Sequence, residues 1–264
     1  MKVEKDIVER AIRRAKTRCI PSVAIYRGST IAIREINRKK PFMQFIPDQS
    51  LDCGGITFDQ FTGFLGQFNK HLFKQFINNP SLFDIYIDAN GSVRKKNTEV
   101  FEAIPNNTWF YAIDINSAYW QALFKLGYIS KDYFNDYMKI DEYKVAKRLC
   151  VSFMARHSAI EYISEKGSHK ITCDNSVMIK VYANVRNYLQ NIIQEVVDIV
   201  PEVIEYNIDA VTVRTNYVDA ALSVFTNYGL DVKINGYVKT GSNEYRHGNQ
   251  MKMFVARRKQ KKVA

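Results

Sequence analysis

Asp114 closes an apolar run, FYAID, and Asp209 sits between two short apolar stretches in EYNIDAVTV. Two converging carboxylates can hold a pair of divalent cations about 4 Å apart, which lower the pKa of an attacking hydroxyl and stabilise the leaving oxygen of a phosphoryl transfer. Oxygen donors of this kind suit Mg2+, with Mn2+ as a substitute. Lys144, Lys147 and Arg148 fall three and four residues apart, so they share one helical face and could grip a triphosphate. Each group also has a plainer reading: Asp114 as a helix N-cap, Asp209 as a hairpin-turn residue, and the three bases as a solvated face.

For the two aspartates to meet, the chain must bring the end of one strand to the tip of a hairpin. Residues 109–115 read as an apolar strand, followed by helices near 130–138, 141–163 and 176–199. The last of these presents Val181, Val185, Ile192, Val196 and Ile199 on one side. Short strands at 202–206 and 210–215, a helix at 217–227 and strands near 230–238 and 251–256 complete the series. Strand, helices, hairpin, helix, strand is the ferredoxin-like βαββαβ order of an α+β fold, and it delivers Asp114 and Asp209 to one edge. Upstream, residues 4–17 read as a charged helix and 22–33 as a hairpin turning at Arg27-Gly28. A helix opens at Thr57 with a capping partner in Gln60, and Phe58, Phe61, Leu65, Phe68, Leu72 and Phe76 recur along it as a core stripe. Residues 82–95 alternate as a strand, with Asn90-Gly91 set for a tight turn.

Around these residues the chain resembles the family B DNA polymerases, their protein-primed branch in particular. The family's first motif, Asp-x-x-Ser-Leu-Tyr, is similar to Asp114-Ile115-Asn116-Ser117-Ala118-Tyr119. The resemblance implies metal ligation by Asp114, the Ile115 carbonyl and Asp209, with Ser117 near the triphosphate. It also places Tyr119 beneath the sugar, where it would favour dNTPs over rNTPs. The third motif, Tyr-x-Asp-Thr-Asp-Ser, looks like Glu205-Tyr206-Asn207-Ile208-Asp209-Ala210, with Asn207 in place of the first Asp. The second motif, Lys-x-x-x-Asn-Ser-x-Tyr-Gly, is matched in register from Lys147, keeping the Lys and, at Ser152, the Ser. A Lys-x-Tyr element resembles Lys252-Met253-Phe254, which implies that Lys252 and Phe254 meet the primer.

The similarity spans about residues 109–256. The short interval from Asp114 to Lys147 implies a minimal helical fingers insertion, about 128–165. No Asp-x-Glu pair of a proofreading exonuclease occurs in the N-terminal third, and the absence of a thumb implies a protein partner that supplies grip or processivity. The expected organisation is an N-terminal α/β extension over 1–100, a polymerase palm-like catalytic domain over 101–256, and a basic tail over 257–264.

Bulk properties agree with a folded chain that meets a polyanion. Of 264 residues 46% are hydrophobic, enough for a sizeable core, and 38 Lys and Arg against 27 Asp and Glu leave a net charge of +11. Basic clusters fall at 13–14, 38–40, 94–96, 144–148 and 257–262. Cysteines at 19, 53, 150 and 173 form no CxxC pair, and the four histidines have no zinc-ligand spacing, so reduced thiols and no zinc are expected. No stretch has the length of a membrane span, and the first residues carry charges where a signal peptide needs an apolar core, which points to a cytoplasm, that of a bacterial host for a phage protein. Three readings follow. One is a compact DNA polymerase or primer-extending nucleotidyltransferase with DNA primer-template and dNTPs as partners. The second is a catalytically weak, palm-derived DNA-binding accessory protein of a phage or mobile element. The third is a ferredoxin-like RNA-binding module, for which the RNP-type aromatic run is missing.

Overall fold

The computed structural model describes residues 3–28, 30–36, 42–45, 52–156, 158–173 and 176–254. The basic tail and the cluster at 38–40 lie outside them. In chain order the elements are α1 (Lys5–Thr17), β1 (Ser22–Arg27), β2 (Thr30–Glu35), β3 (Met43–Phe45), α2 (Phe58–Asn78), β4 (Lys95–Lys96), α3 (Thr98–Glu102), β5 (Trp109–Ile115), α4 (Ala118–Lys125), α5 (Lys131–Met138) and α6 (Lys144–Met154). They continue with β6 (Ser158–Ser164), β7 (Gly167–Cys173), α7 (Ser176–Ile199), β8 (Val203–Tyr206), β9 (Ala210–Arg214), α8 (Val218–Asn227), β10 (Val232–Lys239), β11 (Glu244–His247) and β12 (Gln250–Met253). The mixture of sheets and helices is that of the α+β class.

The chain gathers into two units, 1–85 with 128–183 and 86–127 with 184–264. The expected division into 1–100 and 101–256 gives way to this interleaving for a definite reason. β1 pairs antiparallel with β2 on one side and with β6 on the other, so the N-terminal hairpin and the middle of the chain share a sheet of order β3-β2-β1-β6-β7.

In the first unit, α1 buries Val8, Ile12 and Ala15 in a cluster with Ala24, Ile33 and Ile163. Glu161 of β6 is buried beside them, where it accepts from Lys16 Nζ (2.7 Å) and the Tyr26 hydroxyl (2.8 Å). The capping box at Thr57 forms as expected, with Gln60 N–H on the Thr57 hydroxyl (3.2 Å) and Thr57 N–H on the Gln60 side chain (2.8 Å). α2 then buries Phe61, Phe64, Phe68 and Leu72. The helix expected over 141–163 ends at Met154. Residues beyond it alternate in SAIEYIS and form a hairpin that turns at Glu165-Lys166, just before Gly167, whose φ of +106° few other residues adopt.

In the second unit an antiparallel sheet runs β12-β11-β10-β5-β9-β8-β4. One aromatic cluster holds Phe101, Phe110 and Phe254 with Ile104 and Ile204. The strand expected over 82–95 gives way to a short 3-10 turn at Pro80–Phe83, which belongs to the first unit, and in the second unit to a stretch without regular structure and the two-residue β4. That segment takes its hydrogen bonds from side chains of α7. Ile87 N–H donates to Asn184 Oδ1 (2.9 Å) and the Ile87 carbonyl accepts from Asn187 (2.7 Å). Asn191 accepts from Asn90 N–H (2.8 Å) and donates to the Asp88 carbonyl (2.9 Å), while Gln190 donates to the Asn90 and Gly91 carbonyls (both 2.8 Å). Amides spaced at three and four residues form one face of a helix, and here that face replaces a neighbouring strand.

Candidate functional site

The site grows from β5, which lies between β9 and β10. Asp114 stands opposite Ala210 of β9 and opposite Lys233 of β10, and directly opposed residues put their side chains on the same face. At the tip of the β8–β9 hairpin, Asn207 N–H donates to the Ala210 carbonyl (2.9 Å), which leaves Ile208 and Asp209 as the turn. Asp209 N–H donates to Asn207 Oδ1 (2.9 Å), so the Asn207 side chain shapes the tip. Ile115 N–H donates to the Asp209 carbonyl (2.9 Å). Asp114 and Asp209 are thus held at the same end of adjacent strands.

The turn from β5 into α4 is fixed by a buried side chain. Gln121, 3% exposed, donates from Nε2 to the Asn116 carbonyl (2.6 Å) and the Asp231 carbonyl (2.8 Å), and its Oε1 accepts from Asp231 N–H (2.8 Å). Asn116 adds bonds from its N–H to the Asp231 carbonyl (2.9 Å) and from Nδ2 to Asp231 Oδ2 (3.0 Å). Clamped in this way, Ser117 takes a left-handed backbone, φ 46° and ψ 47°, which costs a non-glycine residue about 1 kcal/mol or more. Its carbonyl accepts from Trp120 N–H (2.8 Å) and Gln121 N–H (3.1 Å), and α4 begins. The first turn of α4 carries Tyr119 to a cleft of about 290 Å3 that it shares with Asn207, Ile208, Asp209, Val93 and Arg94. Arg94 is steadied by Glu205, to which it donates at 3.0 Å, and Lys96 is 3.4 Å from the other oxygen of that carboxylate.

Asp114, Ser117, Tyr119 and Asp209 therefore fall in one unit, where Tyr119 and Asp209 line one cleft with Arg94 and where Lys233 stands opposite Asp114; the sequence reading did not single out Arg94 or Lys233. The signal for Arg94 was its place in the 94–96 basic cluster just beyond Asn90-Gly91. For Lys233 it was the register of β10, which only the folded sheet reveals.

Other expected site residues are placed differently. Lys147 is 3% exposed and points inward, donating to the Tyr137 carbonyl (2.8 Å) and the Met138 carbonyl (3.2 Å) at the C-terminus of α5. Burial lowers its pKa to about 8. It closes a helix end, and only Lys144 and Arg148 stay exposed on α6. Phe254 is 4% exposed and stacks on Phe101, with ring centroids 4.2 Å apart, so it is a core ring without a face for a primer. Lys252 lies on β12 with its Nζ 5.6 Å from the centre of the Tyr237 ring. The buried Lys239 repeats the role of Lys147 by donating to the carbonyls of Phe101 (3.0 Å), Glu102 (2.7 Å) and Ile104 (2.6 Å) at the end of α3.

Among the described residues, no group of three or more His, Cys, Asp or Glu is arranged to hold a metal ion, and no helix is long and apolar enough to cross a membrane. Comparison of the chain with protein-family models, with curated proteins and with solved structures returned no match.

Proposed function

We propose that the second unit is a polymerase-type palm of ferredoxin-like topology, and that the protein is a compact DNA polymerase or primer-extending nucleotidyltransferase that adds dNTPs to a hydroxyl terminus. The strand order carries this reading. β5, β8, β9 and β10 are the four strands of a βαββαβ chain, and they lie as β10-β5-β9-β8, with first and third strands adjacent in the centre. That order sets Asp114, at the end of the first strand, beside Asp209, at the tip joining the second and third.

Asp114, Asp209 and the Ile115 carbonyl would hold the divalent cation, Mg2+ or Mn2+. Two carboxylates are the protein share of a Mg2+ site that completes its shell from substrate phosphates and water. When bound, the cation neutralises phosphate charge and lowers the pKa of the attacking hydroxyl. The chain's own residues do the positioning. The clamped turn at Asn116 and Ser117 fixes where β5 ends, Tyr119 forms the wall against which a deoxyribose would rest, and Arg94 offers a guanidinium to the phosphates. In the first unit Lys144 and Arg148 are the exposed bases of α6, and Lys147 is committed to α5.

The test is extension of a labelled primer with dNTPs and Mg2+ or Mn2+. Incorporation that is lost in both Asp114→Asn and Asp209→Asn is the expected result. Absence of incorporation on every primer, with DNA binding intact, would overturn it in favour of a palm-derived DNA-binding accessory protein of a phage or mobile element. Two observations favour that second reading: Asn207 stands where the family has an acid, and Lys147 is withdrawn from solvent.

A further inference from the structure

The two sides of α2 differ in a way that helix burial alone does not explain. Phe61, Phe64, Phe68 and Leu72 are buried on one side. On the opposite side Asp59, Gly63, Gly66, Lys70, Phe73 and Ile77 follow at alternating steps of four and three residues, the spacing along which two helices pack side by side. All six are exposed, Phe73 at 60% and Ile77 at 62%. Two large apolar side chains one turn apart, on the side of a helix where polar residues belong, form one anomaly. The glycines form the other. Glycine is among the poorest residues for a helix interior, and a positive φ or a close neighbour normally accounts for it there. Neither Gly63 nor Gly66 has a positive φ, and a Cβ on either would meet no described residue within 4 Å.

This seam is complementary to itself. When a second α2 lies antiparallel along the first, with the two-fold axis level with Phe68, Gly63 of each helix faces Phe73 of the other, Gly66 faces Lys70, and Asp59 faces Ile77. Each phenyl ring enters the gap left by a glycine, so one patch supplies both knob and hole, as a two-fold contact requires. Asp59, at the N-terminal end of α2, comes within a turn of the partner's Lys74, and the antiparallel direction also sets opposite helix dipoles side by side. The two Lys70 ammonium groups approach each other near the axis, a repulsion that their length lets them relieve by reaching to solvent.

We propose that this face of α2 is a self-association surface, on which a second copy of this chain packs its own α2 antiparallel with Phe73 set against Gly63. One pair of helices buries less than the roughly 1,200–2,000 Å2 of a stable interface, so the dimer is expected to form with a Kd on the order of micromolar. The surface involves neither Asp114 nor Asp209, which lie in the second unit.

Sedimentation velocity of the full chain over a micromolar concentration series reads the association, and wild type is expected to pass from monomer to dimer. Gly63→Gln fills the hole and Phe73→Ser removes the knob, and each should weaken dimerisation by about tenfold or more. The melting temperature of dilute protein controls for loss of fold. Gly63→Gln should leave it equal or higher, because a better helix former replaces glycine in open space. Register is read by disulfide formation on mild oxidation, in chains in which Cys19 and Cys173 are replaced by Ser. Asp59→Cys mixed with Ile77→Cys should yield a linked pair, whereas Ile77→Cys alone should not, since its two copies lie about 27 Å apart along the axis. A chain that stays monomeric across the series, or a dimer that neither Gly63→Gln nor Phe73→Ser weakens, overturns the proposal. Linkage by Ile77→Cys alone overturns the antiparallel register. Binding to phosphatidylcholine–phosphatidylglycerol vesicles that Phe73→Ser abolishes, by a chain that remains monomeric, also overturns it and assigns the face to a lipid surface.

Discussion

Replacing Gln121 by Met keeps the volume of the side chain while deleting all three of its hydrogen bonds at the start of α4. The Asp231 carbonyl retains the Asn116 N–H, but the Asn116 carbonyl and the Asp231 N–H lose the partner that Gln121 gave them. A polar group left unsatisfied in a site this buried costs about 1–3 kcal/mol. Partial hydration at the edge of the clamp reduces the pair to about 2–4 kcal/mol. Equilibrium unfolding in urea, followed at the second unit, reads this as a lower midpoint with an unchanged slope. Primer extension should fall with it, because Ser117 keeps its left-handed backbone only while the clamp holds. Gln121→Glu sharpens the test. Its carboxylate still accepts the Asp231 N–H but confronts two carbonyl oxygens, so its folded pKa lies above the unfolded value of about 4.3. The folded state then binds the extra proton between those two values, and stability relative to wild type falls as pH rises through that window. A loss under about 0.5 kcal/mol for Gln121→Met, or a Gln121→Glu stability curve parallel to wild type in pH, would refute the assignment of Gln121 as the clamp.

Lys147, with its pKa lowered to about 8, gives a second pH signature. Between about 8 and the ordinary lysine value of 10.5 the unfolded chain binds a proton that the folded chain has shed, so wild-type stability should rise with pH relative to Lys147→Met. Denaturation at several alkaline pH values checks this, and parallel curves would refute it. Asn207→Asp keeps an acceptor for Asp209 N–H and adds a charge beside Asp209. It should lower the melting temperature in EDTA and regain it with Mg2+ or Mn2+ to a greater extent than wild type. Gly91→Ala combines a φ of +70° with a collision against the Gln194 amide, and should cost about 1–3 kcal/mol in thermal unfolding. Gln194→Ala in the same chain should recover the part due to the collision. Phe254→Ala should destabilise by about 3–5 kcal/mol through loss of its stack on Phe101, whereas an exposed primer contact would leave the melting temperature nearly unchanged.

Where neighbours in sequence decide an element, the elements were legible. The apolar run of β5, the pair β8 and β9 around Asn207 to Asp209, the stripe of α7 as far as Val196, beyond which Ile199 is exposed, and the Thr57 capping box all emerge near the expected positions. Residues 158–163 misled because Ile160 and Ile163 extend the three-residue spacing of α6, although SAIEYIS also alternates with period two. Helical spacing put Lys144, Lys147 and Arg148 on one face, but one turn of helix can reach both solvent and interior, and the carbonyls at the end of α5 drew Lys147 inward. The pairing of β1 with β6 joins residues far apart in sequence, so no local pattern announced the interleaved units. Gln121 carried no signal as a lone polar residue on an apolar helix. Its importance lies in two main-chain groups of Asp231 that only the folded sheet delivers.

The amide face of α7 grips residues 87–91 by their main chain, and such a grip does not depend on which side chains that stretch carries. The segment behaves as a rail whose cargo can be exchanged. Substitutions at Tyr86, Asp88 or Ala89 should alter what the surface displays without moving the track. In a family of such chains, variation would gather on the rail while Asn184, Asn187, Gln190 and Asn191 stayed fixed. In hydrogen exchange the rail would show an intermittent pattern, with slow amides at Ile87 and Asn90 and faster ones between them, a periodicity dictated by the helix and not by the strand it imitates.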